Sequence, residues 1–327
     1  MERITIIGLG PVGASIGMSL KNSDLKNTEI IGTSSDRDVR SAASKLGVVD
    51  NVVDNLRSAV ENAKIVILDV PLVETKELLE TIAPILESGS VVTDTGAAKN
   101  LVIKWSEEYL PVGINFVSGH PILKKRPRSL DEANPNLFEG RPYCVIPSKS
   151  ADRDAVRTIV DVIEMMGAKP LFLDINEHDS YAAAMTYLPI VLSAAYVSTT
   201  TSSNSWRDMI QLSGSEFADL SMLVSNDPQE NEMGCLSNPD TLVHWLDKMI
   251  TELHSYRNHI EDRSDQLLDN FISGWEAQAR WEIGASTNDD DERPKLPSAG
   301  EYMATTMVGG RLFDRYKQML DKDKKKD

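Results

Sequence analysis

The hexapeptide Gly8-Leu9-Gly10-Pro11-Val12-Gly13 constrains this chain more than any other segment, because of what flanks it. Before it, Ile4-Thr5-Ile6-Ile7 is a β-branched run that reads as a strand; after it, residues 12–20 have helical spacing. Strand, glycine turn and helix in that order make the fingerprint of a dinucleotide site. Gly8 permits the tight turn, Gly10 lets backbone approach a pyrophosphate, and Gly13 lets helix and strand pack closely. The helix N-terminus adds N–H groups and partial positive charge. Leu9, Pro11 and Val12 complete the loop, so all six residues are assigned to cofactor binding.

The alternation continues along the chain. Strands are expected at 29–32, 65–68, 90–93, 116–118, 143–146 and 171–173, with helices at 39–46, 74–86 and 152–166. That order predicts βαβ units in a doubly wound parallel sheet over residues 1–174. After Asp174 the strand signals stop. Residues 176–200 read as one long helix rich in alanine, with Pro189 as a kink. Further on, Leu242, Leu246, Met249, Leu253, Tyr256 and Ile260 recur at steps of three and four, which marks one face of a helix. The fold class is therefore α/β, a Rossmann-type sheet followed by an all-helical domain over 175–283. Residues 284–327 read as a linker and a loosely attached tail, because an acidic run at 288–292 precedes Pro294, Pro297 and a terminal lysine cluster.

Composition removes several classes of function. A net charge of −16 argues against a nucleic-acid partner, since binders of a phosphate backbone carry basic surfaces. Cys144 and Cys235 are far apart, so neither a disulfide framework nor a cysteine-based metal site is expected. The remaining histidines, including His244, His254 and His259, show no zinc spacing, and no metal is assigned. Met1-Glu2-Arg3 leads directly into the first strand without the features of a secretory signal, which predicts a cytoplasmic protein. The apolar stretch 182–197 is interrupted by Tyr187, Pro189 and Ser193 and is shorter than the roughly 20 residues of a membrane span, so no membrane is expected.

The end of the second strand bears on the cofactor. An acidic residue there bonds the ribose hydroxyls in NAD-preferring versions of the fold, whereas this chain has Thr33-Ser34-Ser35. Hydroxyls accept a 2′-phosphate without charge repulsion, and Arg37 is close enough in sequence to pair with it. NADP is slightly favoured, and Asp36 keeps NAD open.

Several segments, taken in order to about Trp281, resemble the prephenate/arogenate dehydrogenase family. The opening GLGPVGASIGMSL is similar to the family's first turn and helix, and Asp69-Val70-Pro71 to its A-V-P at a strand end. Asp94-Thr95-Gly96-Ala97-Ala98-Lys99 resembles D-x-G-S-V-K, Ser118-Gly119-His120-Pro121 resembles G-G-H-P, and residues 137–143 resemble LFEGRPY. Glu177-His178-Asp179 with Thr186-Tyr187-Leu188-Pro189 resembles the helix containing H-D and S-H-L-P-H, and Trp206-Arg207-Asp208 resembles F-R-D. The resemblance implies an NAD(P)-dependent oxidative decarboxylation in tyrosine biosynthesis, carried out by a homodimer. It makes His120 the base that accepts the ring-hydroxyl proton; imidazole suits that task because it titrates near neutrality. Lys99 would orient the loop or place charge near the nicotinamide, against the commoner reading of a surface lysine. Val70, Pro71 and Thr95 fall at cofactor positions. His178 and Asp179 are read as starting the long helix; as adjacent helical residues they do not share a face, so they are not expected to bind a metal jointly.

Four pocket positions depart from the family. Its turn serine is Ala97, its two helix histidines are Tyr187 and Ile190, and its second carboxylate-gripping arginine is Gln211. Glutamine cannot form the charged bidentate pair, a loss of about 1.5–3 kcal/mol if nothing replaces it. The basic run Lys124-Lys125-Arg126-Pro127-Arg128 just after His120 is the candidate replacement, with Lys124 and Arg126 assigned to substrate; a solvated loop is the alternative. Two further readings stay open: a family dehydrogenase acting on a different carboxylated alcohol, and a non-catalytic dinucleotide-binding sensor.

Overall fold

The computed structural model describes residues 2–225 and 227–282, so the expected tail at 284–327 lies outside the described residues. Eight strands form one sheet in the order β3-β2-β1-β4-β5-β6-β7-β8. They are β1 (Glu2–Ile7), β2 (Thr28–Thr33), β3 (Asn51–Val52), β4 (Ile65–Leu68), β5 (Val91–Asp94), β6 (Asn115–Pro121), β7 (Pro142–Pro147) and β8 (Lys169–Phe172). Every pairing from β3 through β6 is parallel. The expectation of a wholly parallel sheet needs one correction: β7 runs antiparallel to β6, and β8 is parallel to β7. The chain between β6 and β7 has only a short 3-10 turn at Leu130–Glu132, without the crossover helix that a parallel return requires.

Helices cover both faces, so the central strands are apolar throughout rather than alternating; β4 is buried at every residue. On one face Leu9, Ile16 and Leu20 meet Ile4, Ile67 and Ile159; on the other Leu79, Ile82 and Ile103 meet Val66, Val92 and Phe116. Each such side chain contributes about 1.5–3 kcal/mol on burial. The helices are α1 (Pro11–Lys21), α2 (Arg37–Leu46), α3 (Leu56–Val60), α4 (Leu72–Ile82), α5 (Lys99–Tyr109) and α6 (Arg153–Met165). Aspartates set four starts by accepting from first-turn N–H groups: Asp36 for α2, Asp152 for α6, Asp174 for the next helix and Asp227 for the helix Pro228–Leu236.

That next helix is continuous over Ile175–Thr201, 27 residues, with a π-helical turn at Ala183–Tyr187 just before Pro189. Proline lacks the N–H that would close the preceding turn, and the wider turn absorbs the defect. By length and composition the helix is long and apolar enough to cross a membrane, a test that a core helix of a soluble protein also passes. Its N-terminal part buries a histidine and an aspartate, His178 and Asp179, whose partners lie in the sheet domain. Further helices include Pro228–Leu236, Pro239–Glu261 and Gln266–Glu282. By compactness the chain divides at 248/249, inside the helix Pro239–Glu261. In the second unit Tyr256 and Phe271 meet edge to face with centroids 5.5 Å apart.

Candidate active site

The strand order reverses between β1 and β4, and in an open α/β sheet the crevice outside those carboxyl ends is where ligands bind. The fingerprint lies there. Gly8 has φ +99°, and a Cβ on it would stand 2.0 Å from the carbonyl oxygen of Asp69. A Cβ on Gly13 would stand 2.0 Å from the Gly8 carbonyl, so α1 can start this close to β1 only with glycine. A Cβ on Gly10 would meet nothing nearer than 4.0 Å, which leaves open space above it, and the α1 start has no side-chain cap. Open glycine backbone and an uncapped helix start fit a pyrophosphate. Asp69 adds a feature that glycine spacing does not announce: its carboxylate accepts from Gly13 N at 2.7 Å and from Thr95 Oγ1 at 2.6 Å, tying the cradle to the end of β5. Burial pushes the Asp69 carboxyl up, against those two hydrogen bonds and the Arg126 guanidinium, which pull it down.

At the end of β2, Thr33 is buried and Ser34 half-buried, while Ser35 and Arg37 are exposed. Arg40 Nη1 donates to the Ser34 and Ser35 carbonyls, and Asp36 accepts from Asp38 N and Val39 N. A shallow cavity of about 510 Å³ lined by Arg37, Arg40, Ser44, Asn55 and Ser58 lies beside β3, at the sheet edge remote from β6. It is therefore separate from the chemistry assigned to His120.

His120 sits at the carboxyl end of β6, opposite Cys144 of β7. Gly119 before it is required by packing, since a Cβ would stand 2.8 Å from Tyr143 Cε1 and 3.0 Å from the Asp94 carbonyl oxygen. Beneath the strand end lies a buried charge network. Lys99 is fully buried, which corrects the surface-lysine reading. Its Nζ donates to Asp94 Oδ2 at 2.7 Å and to the Gly119 carbonyl at 2.5 Å. Asp94 also accepts from Ser118 Oγ, Gly119 N and Gly96 N. Lys99 thus fixes the backbone that carries His120.

On the other side, His120 Nδ1 lies 3.0 Å from His178 Nε2, and His178 Nδ1 lies 2.9 Å from Asp179 Oδ1. Asp179 also accepts from Lys99 N and Asn100 N, capping α5, whose own N-cap is Ala98 with no side-chain bond. Though adjacent in the helix, His178 and Asp179 bond each other through their side chains. Burial, then the positive charges of Lys99 and Arg126, hold the His120 imidazole well below its ordinary value of 6.5. The ring is therefore a neutral acceptor at physiological pH. His120, Cys144 and His178 also offer three ligand atoms within 4.8 Å of one another, a grouping that the separation of the two cysteines in sequence did not suggest.

The substrate candidates separate. Arg126 is exposed, yet its charge bears on both His120 and Asp69. Ala97 is half-buried in the turn before α5. Tyr187 is buried, its ring lying where a Cβ on Gly234 would be 2.4 Å from Cε1, and burial followed by the Asp179 and Glu230 charges pushes its hydroxyl upward. Lys124 and Gln211 are exposed, and neither takes part in the hydrogen bonds that build the His120 site. Val70 is half-buried and Pro71 exposed at the start of α4, while Thr95 is bonded to Asp69. Asp69, Asp94, Ser118 and Cys144 escaped the sequence reading as site residues; an aspartate where the family has alanine was the one visible signal.

A doubly wound sheet with a glycine cradle at its switch point, followed by helices, defines a dinucleotide-binding protein. Two family models match in succession: the nucleotide-binding domain of prephenate dehydrogenase over residues 16–171 and its dimerization domain over 174–273. The Bacillus subtilis prephenate dehydrogenase is 27% identical over 269 residues, 82% of this chain and 72% of that one. The Zymomonas mobilis cyclohexadienyl dehydrogenase is 28% identical over 296 residues, covering 90% and 99%. In fold, the chain is similar to the prephenate dehydrogenase from A. aeolicus (TM-score 0.75, 24% identity, 86% and 98% covered) and to the Synechocystis arogenate dehydrogenase (0.66, 24%, 86% and 99%). The chain belongs to the prephenate/arogenate dehydrogenase family and is an NAD(P)-dependent dehydrogenase.

Proposed function

We propose that this enzyme oxidatively decarboxylates prephenate or arogenate, with His120 as the base. The observation that carries the reading is the neutral His120 imidazole at the end of β6, held below its ordinary range by burial and neighbouring cations. Such a ring accepts the hydroxyl proton as the carbinol carbon becomes a carbonyl, a contribution of about 10²–10⁴ in rate. When bound, the nicotinamide supplies the hydride acceptor, and loss of the ring carboxylate as CO₂ gives the aromatic product. Lys99 keeps the strand end in place, and Arg126 takes a substrate carboxylate in place of the arginine replaced by Gln211. Lys124, Ala97 and Tyr187 shape the rest of the substrate pocket.

The dinucleotide lies on Gly8 to Gly13, with Val70, Pro71 and Thr95 flanking it, and NADP is preferred over NAD. Support for that preference comes from Asp36, whose carboxylate is committed to capping α2, and from the hydroxyls of Thr33, Ser34 and Ser35 beside Arg37. The boundary between cofactor and helical domains falls at 174/175, in keeping with the two family-model matches. The helical domain forms a homodimer, and the enzyme works in the cytoplasm. A second substrate reading, another carboxylated alcohol, is favoured by Tyr187 being packed on Gly234 where the family has a histidine.

Absorbance at the reduced-nicotinamide band, with prephenate or arogenate and NAD or NADP in all four combinations, tests the reading. Turnover abolished in His120→Asn supports it. Dinucleotide binding without turnover in any combination would reject both named substrates.

A further inference from the structure

We infer that Asp179 and His178 form a relay that fixes the tautomer of His120, presenting its Nε2 lone pair to the substrate hydroxyl. The inference rests on His120 being the base. Asp179 can only accept, so the 2.9 Å contact to its Oδ1 requires the hydrogen of His178 on Nδ1. We take His178 as the neutral imidazole with its hydrogen directed at Asp179, so that its bare Nε2 accepts from its 3.0 Å neighbour, His120 Nδ1. His120 therefore carries its resting hydrogen on Nδ1, and Nε2 is the free base.

Asp179 is itself held by Lys99 N at 3.1 Å and Asn100 N at 2.9 Å, and both His178 and Asp179 are buried. The orienting chain is thus anchored to α5 rather than to a mobile surface group. The substrate O–H bond breaks, its proton forms an N–H bond at His120 Nε2, and the electron pair left on oxygen forms the C=O bond as the carbinol C–H pair departs as hydride, for which a bound nicotinamide would be the acceptor. The positive charge on His120 is then shared through Nδ1–H with the His178–Asp179 pair. His178 and Asp179 touch no reacting atom; they are positioning residues. Ala97 stands where the family has a polar serine, and the Thr95 hydroxyl of the same turn is engaged with Asp69.

Nitrogen-15 NMR of histidine-labelled full-length enzyme reads the tautomer directly. The wild type is expected to show the His120 hydrogen on Nδ1; a hydrogen on Nε2 overturns the inference, whatever the variants do. His178→Leu removes the acceptor and should return His120 to an Nε2–H tautomer, with kcat lowered by about 10²-fold, within the range of general-base effects, and the KM for dinucleotide unchanged. His178→Gln offers an amide oxygen near the position of Nε2 and should restore the Nδ1–H tautomer and at least a tenth of the lost rate. Equal impairment of both variants with an unchanged tautomer would reduce His178 to packing and overturn the inference. The tautomer does not depend on which substrate turns over. A wild type inactive toward both proposed substrates but showing the Nδ1 hydrogen would therefore refute the substrate assignment and leave the relay standing.

Discussion

Replacing Lys99 with methionine removes a buried ammonium and leaves the Asp94 carboxylate, with 4% side-chain exposure, without its cation. Three donors to Asp94 remain, namely Ser118 Oγ, Gly119 N and Gly96 N, but the Gly119 carbonyl loses the hydrogen bond from Nζ. Breaking one partner out of a buried ion pair costs about 3–5 kcal/mol. At about 2–4 °C per kcal/mol for a unit of this size, the melting temperature should fall by about 6–20 °C. The double variant Lys99→Met/Asp94→Asn removes the orphaned charge and should recover much of the loss. A second effect has a definite sign: Lys99 depresses the His120 pKa, so without it the acid limb of kcat/KM moves up toward pH 6.5. Thermal unfolding of the three proteins and a pH–rate profile provide the assay. Lys99→Met melting within 2 °C of wild type, with an unmoved acid limb, would refute the claim that this pair supports the strand end carrying His120.

In the wild type, the acid limb of kcat/KM should lie well below pH 6.5. Because the folded state refuses a proton that the unfolded chain binds, the His120 contribution to stability is present above about pH 6.5 and is lost as pH falls through the folded pKa, which denaturant titrations at stepped pH will show. Gly13→Ala drives a Cβ to 2.0 Å from the Gly8 carbonyl; calorimetric titration should find dinucleotide affinity reduced at least about tenfold, because the cradle must open to admit the methyl. Asp69→Ala leaves Gly13 N and Thr95 Oγ1 without their acceptor, and urea unfolding should show a loss of about 1–3 kcal/mol. Gly234→Val forces the Tyr187 ring aside and should cost about 1–3 kcal/mol by the same measurement, since overpacking a filled site strains its neighbours.

The sequence by itself determined the Rossmann-type sheet, the place of the glycine cradle and the candidacy of His120. These rest on local rules: β-branched runs, helical spacing, and glycines at positions that a Cβ cannot occupy. The family resemblance was legible for the same reason, as short motifs in a fixed order. Local rules could not tell that β7 reverses direction, because strand polarity depends on how the chain returns, and a connection such as 122–141 has no period to read. They also could not tell that Lys99 is buried. A lysine looks solvated until a partner is known, and its partners Asp94 and Gly119 come together only through the pairing of β5, β6 and the start of α5. The pairing of His120 with His178 spans 58 residues and two elements, so only the folded chain creates it. Patterned hydrophobicity is written into successive residues, whereas the environment of a buried charge is assembled from distant ones; that is why the tertiary structure alone decided the electrostatics of the site.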